Sequence, residues 1–196
     1  MLILASASPR RRELLTQAGF EFQIHPAHIP EDPHPNEDPI AYVTRLARQK
    51  AEAVYESLTD ERSDPTTVVL GADTTVTLDN HILGKPENPE DAARMLRLLS
   101  GRTHRVVTGI ALVSATLQQT AAEVTAVQFL TLSEEEIQTY IATGEPNDKA
   151  GAYAIQGRAA RWIPRIEGCY FNVVGLPISL VSTLLASAET VQQPFA

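Results

Sequence analysis

The stretch Met1-Leu2-Ile3-Leu4-Ala5-Ser6-Ala7-Ser8-Pro9-Arg10-Arg11-Arg12 decides the fold class. Its apolar start predicts a buried strand over Leu2–Ala5. Ser6-Ala7-Ser8-Pro9 then supplies a cap and a first-turn proline for a helix running to about Ala18, closed by Gly19. A buried strand passing straight into a helix opens an α/β arrangement. The same stretch poses an electrostatic question. A helix N-terminus carries roughly half a positive charge, and a cation there costs about 0.3–1 kcal/mol. Three arginines in this turn either face an anion, with the backbone N–H groups and serine hydroxyls forming a phosphate site, or they are a solvated basic start.

Downstream the elements alternate. Phe20, Phe22 and Ile24 mark a second strand, and residues 26–39 form an extended loop with five prolines. A long helix is predicted from about Pro39 to Ser57, with Ala41, Leu46, Ala47, Ala51 and Val54 on one face. Thr67–Leu70 reads as a strand ended by Gly71-Ala72-Asp73, and Thr74–Leu78 resumes it before a turn at Asp79-Asn80. A helix over Pro89–Leu99 precedes two long paired strands, Arg102–Val113 and Thr120–Leu130. Ser133-Glu134-Glu135-Glu136 is a capping box for a helix to about Thr143, stopped by Gly144. Short strands are expected at Tyr153–Ile155 and Arg161–Ile163, then a last helix from Pro177 to about Ser187 and a frayed terminus. The fold class is α/β, built on a long, mixed, twisted sheet.

Composition bounds the function. The 196 residues are 43% hydrophobic and carry a formal net charge of −8. That length and apolar content suit one domain, or two small lobes about a cleft. No window approaches the ~18 apolar residues of a membrane span, and the acidic balance argues against nucleic-acid or membrane binding. The short apolar start has no basic residue before it, as a signal peptide would. Cys169 is the single cysteine, which fits a reducing, cytoplasmic compartment.

Candidate residues stand apart from this background. Asp73 follows an apolar strand, where it could activate water or hold a metal, or merely cap a turn. Leu83-Gly84-Lys85-Pro86 lacks the glycine spacing of a P-loop and reads as a turn bearing a lysine. Lys50 reads as a solvated helix position. His25, His28 and His34 lie in the proline-rich loop without metal-ligand spacing. Cys169 has no basic neighbour in sequence and reads as a buried thiol. No Gly-x-Ser-x-Gly elbow is present.

Together these strings resemble the Maf family of nucleoside triphosphate pyrophosphatases over nearly the whole chain. They are Ala5-Ser6-Ala7-Ser8-Pro9-Arg10-Arg11, Arg45-Leu46-Ala47 with Lys50, Gly71-Ala72-Asp73-Thr74, Leu83-Gly84-Lys85-Pro86, and Ser100-Gly101-Arg102-Thr103-His104. Glu145-Pro146-Asn147-Asp148-Lys149-Ala150-Gly151-Ala152-Tyr153-Ala154-Ile155-Gln156-Gly157 and Asn172-Val173-Val174-Gly175-Leu176-Pro177 complete the set.

The resemblance implies one catalytic domain over residues 1–196, with two lobes flanking a cleft as in inosine triphosphate pyrophosphatases, and often a homodimer. It implies cleavage of a nucleoside triphosphate at the α-phosphorus with a divalent cation, Mg²⁺ or Mn²⁺. Asp73 becomes the proton acceptor; Arg10, Arg11, Lys50 and Lys85 meet the triphosphate; Ser8 caps the anion-binding turn. Glu31, with Asp73, assists metal binding, while Arg10, Thr74 and Gln156 match positions linked to base choice. The family's 7-methylguanosine triphosphate branch carries serine, phenylalanine, lysine, serine and glutamate where this chain has Ala152-Tyr153-Ala154-Ile155-Gln156. This chain follows the dTTP/UTP pattern. Ala154 and Cys169 depart from the family's usual glycine and serine. A non-catalytic nucleotide-binding regulator of septum formation is the rival of a different class, disfavoured by Asp73, Lys50 and Lys85 standing intact.

Overall fold

The computed structural model describes residues 1–58, 64 and 66–192, the last four of these by backbone alone. Its elements run in chain order β1 (Leu2–Leu4), α1 (Pro9–Gln17), β2 (Phe22–Ile24), α2 (Pro39–Ser57), β3 (Val68–Leu78), β4 (His81–Leu83) and α3 (Pro89–Leu99). There follow β5 (Thr103–Val113), β6 (Gln118–Gln128), α4 (Glu134–Ile141), β7 (Arg165–Glu167), α5 (Tyr170–Val174) and α6 (Ile178–Gln192). Three short 3₁₀ turns, Glu145–Asp148, Ala150–Ala152 and Arg158–Trp162, lie between α4 and β7. None of the described helices is long and apolar enough to cross a membrane.

Local chemistry sets the helix starts. Ser8 caps α1 by accepting the Arg11 N–H, and Asp38 accepts from Ile40 and Ala41 at the start of α2. Asn88 caps α3, and Ser133 with Glu136 closes the expected capping box on α4. Each cap satisfies backbone donors that the helix itself leaves unpaired.

Among the described residues the sheet has seven strands in the order β2-β1-β3-β5-β6-β7, with β4 a hairpin partner of β3. β1 lies parallel to β2 and β3, whereas β3, β5, β6 and β7 pair antiparallel, so the sheet is mixed as expected. The β3–β4 turn places Asp79 and Asn80 at φ 50° and 63°, the left-handed pair that matches a hairpin's twist.

Gly71-Ala72-Asp73 does not end a strand. β3 is continuous from Val68 to Leu78 and pairs with β5 through this stretch, Asp73 standing opposite Gly109. Gly71 answers to packing instead. A Cβ there would meet the Ala47 carbonyl oxygen of α2 at 2.0 Å, and one at Gly109 would meet Val43 at 2.4 Å. The two glycines let α2 lie directly on the sheet.

The sheet's two faces are built differently. Below α2, Ile3, Val69, Ala111 and Val113 pack with Ala47, Ala51 and Val54. On the other face the core is divided. Leu70 and Ala72 of β3, with Ile110 and Leu112 of β5, pack with Leu14 and Leu15 of α1 and Val181 and Leu184 of α6. Val76, Leu78 and Val106 instead join Leu96 and Leu99 of α3, Ile137 and Tyr140 of α4, Phe129, Tyr153 and Trp162. Thr74 and Thr108, paired across the strands, separate the two clusters. Their hydroxyls lie 2.9 Å apart, Thr108 donates to the Asn172 carbonyl, and Asn172 donates to Thr125 and to the Val106 carbonyl. This polar row marks the boundary between two lobes on one continuous sheet, and the cleft opens along it.

The strands expected at Tyr153–Ile155 and Arg161–Ile163 do not form. Positive φ at Gly151 and Ala152 (68° and 60°) reverses the chain just before the first, and Ala154 gives its N–H to the Tyr140 hydroxyl instead of a strand. The second is a 3₁₀ turn that sinks Trp162 into the α3–α4 core. The last strand forms later, at Arg165–Glu167 against Ala126–Gln128. α6 reaches Gln192, beyond the predicted end near Ser187; the frayed stretch expected after it falls at 193–196, outside the described residues.

Candidate active site

A cleft of about 710 Å³ runs between the lobes, and all nine candidate residues line it: Ser8, Arg10, Arg11, Glu31, Lys50, Asp73, Thr74, Lys85 and Gln156. Sequence separations of up to 148 positions close into one site because β1, β3 and α2 converge at one end of the sheet.

Arg11 turns inward. Its guanidinium donates to the Gly175 carbonyl (2.9 Å), the Ala72 carbonyl (2.9 Å), Ser6 Oγ (3.2 Å) and Thr74 Oγ1 (3.1 Å). Four of its five N–H donors are therefore held by protein oxygens. Burial pulls its pKa down, against the raising influence of Asp73. Ser6, unremarked in the sequence beyond its place in the turn, accepts from both Arg11 and the Ser8 N–H. Arg10 is partly exposed at the cleft and pairs with Asp148 at 3.4 Å.

Lys50 is not solvated. It is 7% exposed, and its Nζ lies 2.5 Å from Glu31 Oε1 and 2.6 Å from Asp73 Oδ1. Helix side chains lean toward the N-terminus, so the Lys50 stem runs back along α2 to the carboxylate two residues beyond Gly71. Asp73 shares the α2 face of β3 with Gly71, since alternate strand residues share a face. Burial raises the Asp73 carboxyl above its ordinary value, outweighing the charges of Lys50 and Arg11. Glu31 goes the other way. Burial pushes it up, but the Lys50 hydrogen bond and the charges of Lys50, Lys85 and Arg11 together hold it below the usual range. Its backbone is tied by the Tyr42 hydroxyl, which donates to the Glu31 carbonyl at 2.8 Å.

The opposite wall carries unspent positive charge. Lys85 makes no hydrogen bond or ion pair among the described residues, and its turn is fixed by the Gly151 N–H donating to the Gly84 carbonyl at 3.0 Å. Lys149, which stands in one of the family strings with no role assigned to it from sequence, also faces the cleft and pairs with Asp148. Thr74 and Gln156 lie on the lobe-boundary side. The exposed Gln156 side chain makes no hydrogen bond among the described residues. Cys169 lies outside this set; it precedes α5 and is half-buried, less enclosed than its sequence surroundings predict.

Two carboxylates converging on one ammonium can also hold a hard cation. Mg²⁺ is usually held by one or two carboxylates plus phosphate oxygens and water, rather than by an all-protein cage. Glu31 and Asp73 match that donor set, and among the described residues no cluster of three or more potential ligands exists. The fit is to a cation that arrives with a polyphosphate.

The family model described as Maf-like protein matches residues 1–188. A protein of Koribacter versatilis named dTTP/UTP pyrophosphatase is 52% identical over 187 residues, covering 95% of this chain and 94% of the relative. One of a Geobacillus species, of the same name, is 54% identical over 178 residues, with 91% and 92% covered. A third, from Moorella thermoacetica, is 52% identical over 187 residues, with 94% and 93% covered. Among solved structures, Staphylococcus aureus Ham1 aligns over 65% of this chain and 71% of its own at 11% identity. The TM-score of that alignment is 0.43. A family model spanning the chain to Val181 and beyond, with relatives at half identity over nine-tenths of their length, leaves one conclusion: this chain belongs to the Maf family.

Proposed function

We propose that the protein hydrolyses dTTP and UTP to the nucleoside monophosphate and pyrophosphate. The observation that carries this reading is the buried Lys50–Asp73 pair, joined by the more exposed Glu31, facing a cleft whose other wall presents Arg10, Lys85 and Lys149. A buried ion pair contributes little net stability, because desolvation offsets the attraction; beside a cleft, the same groups suit proton transfer and anion binding.

In this reading the triphosphate takes the cationic wall and Asp73 is the general base. A water oxygen attacks the α-phosphorus and passes a proton to Asp73; the bond from that phosphorus to the bridging oxygen breaks, and pyrophosphate leaves. A carboxyl raised by burial is a better proton acceptor than an ordinary aspartate at the same pH. Lys50 holds the carboxylate in place. Arg11, already committed to four protein oxygens, shapes the turn that carries Ser8 and Arg10. Glu31 and Asp73 would hold the divalent cation, which neutralises developing phosphate charge when bound. Gln156 reads the base. The thymine or uracil edge offers acceptor, donor, acceptor, and a carboxamide matches two adjacent positions.

Chromatography of dTTP and UTP digests tests the reaction. The expected products are the monophosphate and pyrophosphate, with turnover by Asp73→Asn lower by ~10²–10⁴, the range for loss of a general base. A diphosphate with orthophosphate as first products would overturn the assignment, as would full activity in Asp73→Asn.

A further inference from the structure

Gln156 stands in a segment that no strand or helix supports. A turn bond from the Gly157 N–H to the Ala154 carbonyl at 3.1 Å closes its backbone locally, and a pair of side chains outside the cleft ties that turn to the rest of the protein. The Ala154 N–H donates to the Tyr140 hydroxyl at 3.1 Å. That hydroxyl donates to Glu145 Oε1 at 2.7 Å. The Arg158 N–H donates to both Glu145 carboxylate oxygens, at 3.1 and 3.2 Å. The segment 154–158 is thus fastened two residues before and two residues after Gln156 by one connected device.

Its anchor is rigid. Tyr140 is 1% exposed, with its ring edge-on to Trp162 at 5.0 Å between centroids. The carboxylate fills the space at Gly157, where a Cβ would lie 2.0 Å from Glu145 Oε1 and 2.4 Å from its Cδ. Gly157 is therefore the residue that lets the carboxylate reach the Arg158 amide. Neither Tyr140 nor Glu145 lines the cleft. Apart from the bond between them, the hydrogen bonds they make to this segment reach backbone N–H groups, and the backbone they hold presents Gln156.

We propose that Glu145 and Tyr140 are positioning residues for base selection, setting where the Gln156 carboxamide stands in the cleft. The proposal rests on the reading of Gln156 as the group that meets the base. Its physical content is that loosening either bond blurs base discrimination while the phosphate-binding wall keeps its strength. Displacement of about 1 Å in a positioning group is enough to cost substantial rate.

The test uses the full chain in six forms: wild type, Tyr140→Phe, Glu145→Ala, Glu145→Gln, Gln156→Ala and the Glu145→Ala/Gln156→Ala double variant. Tyr140→Phe keeps the packed ring and removes only the hydroxyl. Glu145→Gln retains an Oε1 able to accept from both Tyr140 and Arg158, so it serves as the rescue. The readouts are kcat/KM for dTTP against dATP, and the inhibition constant of inorganic tripolyphosphate, which carries phosphates and no base. Tyr140→Phe and Glu145→Ala should lower the dTTP:dATP ratio by ~10-fold, equivalent to about 1.4 kcal/mol. Tripolyphosphate inhibition should stay within about twofold, and Glu145→Gln should restore the ratio. In the Gln156→Ala background, Glu145→Ala should cost less than about twofold more, because coupled residues are non-additive.

Joint loss of dTTP and tripolyphosphate binding would make the pair merely structural and overturn the proposal. So would an unchanged ratio in Glu145→Ala beside a changed one in Gln156→Ala, or losses that multiply in the double variant. If wild type shows no preference for dTTP and UTP, the underlying reading fails by itself. Amide hydrogen exchange at Ala154 and Arg158 then judges the clamp: faster exchange in Glu145→Ala supports it, and unchanged exchange overturns it.

Discussion

The guanidinium of Arg11 donates to Gly175, Ala72, Ser6 and Thr74, while that of its neighbour Arg10 reaches only Asp148. Adjacent arginines in one helical turn therefore do different work. Arg11→Ala would take one donor from each of two carbonyls and two hydroxyls. Ser6, Thr74 and Gly175 keep another partner, while the buried Ala72 carbonyl loses its guanidinium bond. Breaking hydrogen bonds to a buried charged group costs about 1.5–3 kcal/mol. Arg10→Ala removes an exposed ion pair worth about 0–1 kcal/mol and also a cation from the positive end of a helix. The expected outcome is a clear fall in Tm for Arg11→Ala and a Tm near that of wild type for Arg10→Ala, with the latter weakening tripolyphosphate binding. Thermal unfolding and inhibition by tripolyphosphate check both. Comparable Tm losses in the two variants would show that the pair share one role.

At the scale of elements, the contact between α2 and the sheet decides where the catalytic groups meet. Gly71 and Gly109 bring the α2 backbone down onto β3 and β5, and that closeness lets Lys50 span to Asp73. Gly71→Ala would push a methyl to 2.0 Å from the Ala47 carbonyl and 3.0 Å from the Ala51 Cβ. The obstacle is backbone, so the helix as a whole must move; overpacking of this kind costs about 1–3 kcal/mol or more. We predict lower stability together with a lower kcat, since Lys50 moves with its helix. Gly84→Ala is the control: nothing lies within 4 Å of the added methyl, so its stability should change by no more than about 1 kcal/mol. Equal effects at the two positions would contradict the packing account.

For the molecule as a whole, acid stability reports on the aromatic lobe. His104 is 1% exposed, shares a 2.7 Å hydrogen bond with the Tyr153 hydroxyl, and stacks edge-on with Phe129 and Tyr153. Burial lowers its pKa from 6.5 to about 3. The unfolded chain therefore binds a proton that the folded chain refuses, between those two values. The stability this residue contributes is present above pH 6.5 and is lost as pH falls through the window, at up to ~1.4 kcal/mol per pH unit. Glu37, held at about 2 by its hydrogen bond from Arg45, adds a loss of the same sign, smaller because solvent screens the pair, that begins only below its ordinary 4.5. Urea midpoints measured at pH 6.5 and 5 isolate the histidine. His104→Gln, which does not titrate, should show a flatter pH dependence there than wild type, even if its overall stability is lower. Parallel slopes would mean that His104 is charged in the folded protein.

Much of the fold was legible because its signals are local. Caps, prolines and periodicity place α1, α2, α3 and α4 to within a residue or two, and the long strands β5 and β6 carry their own β-branched pattern. The family strings likewise named eight positions that the cleft brings together, and the resemblance added Glu31 as a ninth. What sequence could not supply is the environment of each group. Lys50 looks like a solvated helix position because its surroundings are Glu31 and Asp73, 19 and 23 residues away. Gly71-Ala72-Asp73 looks like a strand end because glycine usually breaks strands, whereas here its missing side chain makes room for α2. Tyr153–Ile155 has strand composition but gives its Ala154 N–H to Tyr140. Local sequence determined which elements exist and where they begin. Burial, the pKa shifts that follow from it and the clamp on Gln156 depend on which distant backbones come close, and tertiary packing alone decided that.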